Sequence, residues 1–74
     1  MEEKIIDIIT RILEVDREEI EMDTAIGDLP EWDSLNHLRI ITELEEEFGI
    51  KYSQSDLAEL EDVSELVALT NEMI

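Results

Sequence analysis

Cysteine is absent, which removes disulfide staples, thiolate metal sites and a cysteine nucleophile together. Any thiol chemistry would have to come from an attached group. Bases are scarce as well: 5 Lys and Arg residues face 22 Asp and Glu, for a formal charge of -17. A surface this negative repels nucleic acid and anionic lipid, which excludes a DNA or RNA role, and self-repulsion favours a monomer. The acidity either simply solvates the surface or favours protein partners with basic patches, by raising encounter rates in complexes that must form and part quickly. No apolar run approaches a membrane span, and Met1-Glu2-Glu3-Lys4 lacks the basic region and apolar stretch of a signal peptide. The expected location is cytoplasmic, without membrane insertion. Aromatics are few (one Trp, one Tyr, one Phe), and the single Pro and both Gly fall between periodic segments.

The 74 residues fit one domain spanning 1–74. A chain of this length buries only about 60% of the surface its unfolded form exposes. Apolar residues make up 43%, mostly Ile, Leu and Val, enough for one core. Ile5, Ile6, Ile9, Ile12 and Leu13 form the stripe of a first helix from about Glu2 to Val15. From Asp16 to Asp33 the chain is irregular, but Ile20, Met22, Ile26, Leu29 and Trp32 predict a long loop pinned to the core. A second helix starts at Asp33 or Ser34, both good caps, and stops at Gly49. Ile50-Lys51-Tyr52 predicts an extended link, after which Ser53 or Ser55 caps a brief helix carrying Leu57 and Leu60. Asp62 with Glu65 makes a capping pair for a final helix striped by Val63, Leu66, Val67, Thr70, Met73 and Ile74. The expected fold is all-α, a small four-helix bundle with three longer helices and a short third.

The second helix is apolar on two sides. At about 100° per residue, His37, Ile40, Ile41, Leu44 and Phe48 share one arc and make a sufficient core face. Leu35 and Leu38 project elsewhere, near Arg39 and Thr42, and place apolar side chains in solvent beside Ser34. Scattered exposed leucines are common, but next to a helix N-terminus they read as a docking patch. The free amides and positive dipole end of that terminus suit a phosphoryl group, and Ser34 sits where one would be held. A serine at a helix start also serves simply as a cap.

Asp33-Ser34-Leu35 opening the second helix, followed by Leu38, Ile40-Ile41, Leu44-Glu45-Glu46-Glu47-Phe48 and Gly49-Ile50, resembles the acyl carrier and peptidyl carrier family. The resemblance runs from about Ile5 to Met73 and includes the acidity, the long first loop and the short third helix. It implies a 4′-phosphopantetheine arm on Ser34, transferred from coenzyme A by a phosphopantetheinyl transferase, with Asp33 assisting that enzyme's magnesium ion. It also implies acyl or aminoacyl cargo held as a thioester and passed from a loading ligase to downstream transferases or synthases, in lipid, polyketide or nonribosomal peptide biosynthesis. The carrier itself needs no catalytic group. Docking would fall on Leu35, Leu38, Arg39 and Thr42. Family members of primary fatty-acid synthesis usually carry acids after the serine, where this chain has Asn36 and Arg39, so its docking code should differ. Pro30-Glu31-Trp32 in place of small residues looks more like a discrete carrier of a specialised pathway.

Three rival readings remain. Asp33, Ser34 and His37 are the residue types of a hydrolytic triad, but His37 lies toward the core side of its helix and the domain is too small for a roomy cleft. The acid clusters lack the spacing of an EF-hand loop or a histidine pair, so a metal site is not expected. An unmodified acidic adaptor, binding a basic partner through the second helix, would show the same charge and leucines without requiring Ser34. Trp32 is expected to close the end of the bundle, with one partner for its N–H.

Overall fold

A computed structural model describes residues 2–74. Helix α1 (Glu2–Leu13) is followed by a 3-10 turn at Arg17–Glu19, then α2 (Ser34–Phe48), α3 (Gln54–Ala58) and α4 (Val63–Met73). The all-α bundle with a short third helix is as the sequence predicts. Helix α1 stops at Leu13, two residues before the expected end. Glu14 adopts a left-handed φ of 57°, and the Val15 amide returns to the Thr10 carbonyl at 3.2 Å, a closure that usually falls to glycine.

The core gathers Ile5, Ile6, Ile9 and Leu13 of α1, Ile40, Ile41 and Leu44 of α2, and Val63, Leu66 and Val67 of α4, with Ile20, Trp32 and Tyr52 from the connections. Ile8 is buried too, although it lies outside the expected stripe, whereas Ile74 at the far end of the α4 stripe is exposed. Packing of α1 on α2 is bordered by two ion pairs, Lys4–Glu47 at 3.5 Å and Arg11–Glu43 at 3.1 Å, both too exposed to contribute much.

The long loop is held by its apolar anchors and by backbone pairing. Carbonyls of Met22 and Thr24 accept the amides of Ser64 and Val63 at 2.8 and 3.1 Å, and Ile26 donates to the Glu61 carbonyl at 2.9 Å. These bonds satisfy amides at the start of α4 that the helix cannot pair internally. The Asp62 side chain accepts the Glu65 amide at 2.9 Å, as the capping pair predicts, while Glu65 reaches back to the Glu61 amide at 2.7 Å rather than to Asp62. Ser64 Oγ donates to Asp62, and together with the Glu65 amide this holds the Asp62 carboxyl below its ordinary range.

Candidate functional site

The first turn of α2 is built by short-range hydrogen bonds. Asp33, in extended conformation, is the N-cap, and its carboxylate accepts the Asn36 amide at 2.9 Å. Ser34 is therefore the first residue inside the helix and is not needed as its cap. Its side chain is exposed and makes no hydrogen bond among the described residues. Asp33 is exposed as well, one residue before it.

Leu35 and Leu38 are 68% and 59% exposed, which makes them the large apolar side chains most open to solvent on α2. Arg39 and Thr42 are exposed beside them. The four residues expected to dock therefore lie at the surface. Arg39 donates to Asn36 Oδ1 at 3.2 Å and forms no ion pair among the described residues, unlike Lys4, Arg11 and Arg17. Asn36 also donates to the Glu31 carbonyl at 2.8 Å, so one amide side chain links the loop, the helix start and the arginine. Sequence reasoning did not find that role, because a polar residue in a first turn carries no pattern beyond its cap neighbourhood.

The Trp32 indole is 3% exposed and donates from Nε1 to His37 Nδ1 at 3.1 Å, with ring centroids 6.2 Å apart. Trp32 thus closes the end of the bundle as expected, and its partner is the only histidine. An indole N–H can only donate, so Nδ1 is unprotonated and His37 is the neutral Nε2–H tautomer. Burial lowers the imidazole pKa below its ordinary 6.5. The triad geometry does not form, because Nδ1 is taken by Trp32 and no hydrogen bond joins His37 to Ser34.

Ile26, Gly27, Trp32, Asp33, Ser34 and His37 surround a depression of about 190 Å3, and His37 also borders an apolar groove of about 330 Å3 between α2 and α3. Among the described residues, no three His, Cys, Asp or Glu side chains converge as a metal site, and no helix is long and apolar enough to cross a membrane.

The acidic helical bundle thus displays an exposed hydroxyl and two exposed leucines near the start of α2. The chain belongs to the family described as the phosphopantetheine attachment site, whose model matches residues 3–70. It is similar to the holo acyl carrier protein of Geobacter metallireducens, a solution structure, with a TM-score of 0.87 and 26% identity over 97% of this chain and 83% of that one. It is also similar to a Mycobacterium tuberculosis protein described as an acyl carrier protein, with a TM-score of 0.82 and 37% identity over 90% of this chain and 89% of that one. The protein is accordingly a carrier and not an enzyme, and its prosthetic group is covalently attached 4′-phosphopantetheine. Membership of the family implies work with a phosphopantetheinyl transferase and with biosynthetic enzymes.

Proposed function

We infer that Ser34 is the attachment residue and that cargo is held on the arm as a thioester for delivery to partner enzymes docked on α2. The observation that carries this reading is the free Ser34 hydroxyl: Asp33 caps the helix in its stead, leaving the serine exposed. The surroundings fit a phosphodiester. The amides of Ser34 and Leu35 make no hydrogen bond among the described residues, and they lie at the positive end of the α2 dipole. When bound, the group supplies a flexible thiol that keeps an acyl or aminoacyl unit activated. The exposure of Asp33 beside the serine supports its role in assisting the transferase's magnesium ion.

Leu35 and Leu38 offer the apolar contact for docking, with Arg39 and Thr42 at its edge. The wide acidic surface draws partners with basic patches, while Arg39 gives the contact a local preference for an acceptor group. The α2–α3 groove, walled by Leu38, Ile41, Leu57 and Ala58, is a resting place for a small apolar part of the cargo. The chain works as one cytoplasmic domain and a monomer, kept apart from its copies by its charge.

Incubation with coenzyme A, magnesium and a broad-specificity phosphopantetheinyl transferase, followed by mass measurement, tests the assignment. Wild type should gain one phosphopantetheine and Ser34→Ala none. No gain by wild type across several transferases would favour the unmodified adaptor.

A further inference from the structure

The Ser34 side chain makes no hydrogen bond among the described residues, yet the residues on either side of it are tied together across it. Asn36 bonds back to Glu31 and Asp33 at 2.8 and 2.9 Å, and Trp32 bonds forward to His37 at 3.1 Å. The first two fix the helix turn upon itself, because all three of those residues are exposed or half-buried. The Trp32–His37 bond differs in kind. The buried indole belongs to the core, so this bond joins the serine's turn to the rigid interior. Helix ends fray unless something holds them.

We propose that the Trp32–His37 hydrogen bond is a positioning device, setting the angle at which the loop enters α2 and so holding the Ser34 hydroxyl in its reactive orientation for the transferase. The inference rests on the reading of Ser34 as attachment residue. In the transfer, Ser34 Oγ forms a bond to the β-phosphorus of coenzyme A. The bond from that phosphorus to the bridging oxygen breaks, adenosine 3′,5′-bisphosphate leaves, and the hydroxyl proton passes through the transferase to solvent. Nothing is oxidised or reduced. His37 takes no part as a base, since its free acceptor nitrogen is committed to Trp32. Its contribution is orientational: a nucleophile already held in place loses less freedom at the moment of reaction.

Initial rates of phosphopantetheine transfer, measured against carrier concentration for wild type, Trp32→Phe, His37→Leu and His37→Gln, test this. Trp32→Phe keeps a buried ring and removes the donor, His37→Leu removes the acceptor, and His37→Gln supplies an acceptor oxygen in place of Nδ1. The first two should lower kcat about fivefold with KM changed by less than about twofold, and His37→Gln should restore kcat. Fluorescence of the lone tryptophan in the apo protein gives a readout free of catalysis: His37→Gln should match wild type and His37→Leu should shift. Wild-type kcat in all three variants overturns the proposal, as does a raised KM at unchanged kcat or a glutamine variant as slow as the leucine one. If circular dichroism shows His37→Leu unfolded, Trp32→Phe decides the question. Failure of wild type to gain mass would instead remove the Ser34 reading and this inference with it.

Discussion

The Tyr52 hydroxyl donates to Thr70 Oγ1 across 2.6 Å inside the bundle, joining the link after α2 to the middle of α4. The donor is fixed by the next bond in the chain: Thr70 spends its own proton on the Leu66 carbonyl at 2.8 Å, so the proton between the hydroxyls is the phenol's. Tyr52→Phe should cost about 1 kcal/mol in urea denaturation, no more, because Thr70 keeps its carbonyl partner. Burial raises the Tyr52 pKa above 10.0, and the Glu45 charge adds to that rise. The folded protein therefore keeps a proton that the unfolded chain releases. This contribution is whole below pH 10.0 and fades as pH climbs past it, a loss Tyr52→Phe should not show.

His37 produces the opposite dependence near neutrality. Burial lowers its pKa below 6.5, so above that pH the imidazole is neutral in both states and its contribution is complete. As pH falls below 6.5 the unfolded chain takes up its proton first, and stability declines until the folded imidazole protonates too. Protonation there also ends acceptance from Trp32. Wild type should lose stability relative to His37→Gln with acidification below 6.5, accompanied by a change in Trp32 fluorescence absent from the glutamine variant.

Asp33 and Ser34 should separate cleanly by stability. Asp33→Ala removes the cap of α2 and should cost about 1 kcal/mol. Ser34→Ala touches an exposed hydroxyl without partners and should fall within about 0.5 kcal/mol of wild type. A thermal melt of both variants checks this. Equal losses would mean that the serine shares in the cap.

Leu38→Glu should leave helicity by circular dichroism nearly unchanged, because the side chain is 59% exposed. Transfer of cargo to a docked partner enzyme should drop. A collapse of helicity would assign Leu38 to the core.

Glu14→Gly should stabilise the protein by roughly 1 kcal/mol, since relief of the left-handed strain exceeds the entropy that glycine adds to the unfolded chain. It also removes an acid just past the C-terminus of α1, where the dipole disfavours one. An unchanged or lower denaturation midpoint would contradict this account.

Much of the fold and site was legible in the sequence where the governing interactions are local. The end of α1 was misplaced because a glutamate gives no sign that it will turn left-handed, as Gly49 does for α2. Ile8 was missed because a stripe of width about 100° omits its flanks, and α1 is wrapped widely enough to bury them. Ile74 followed the α4 period but stands beyond the helix, where the period no longer decides direction.

By itself the sequence determined that α2 starts at Asp33 or Ser34 and stops at a glycine, that it is apolar on two sides, and that Ser34 stands at its mouth among acids. These follow from hydrogen bonds within a few residues and from a 3.6-residue period, which a linear text contains. Only the tertiary structure decided that Trp32 meets His37, that Tyr52 meets Thr70, and that the loop carbonyls of Met22 and Thr24 complete the start of α4. Periodicity says which face of a helix leaves water, but the partner it meets depends on how all the faces close on one core.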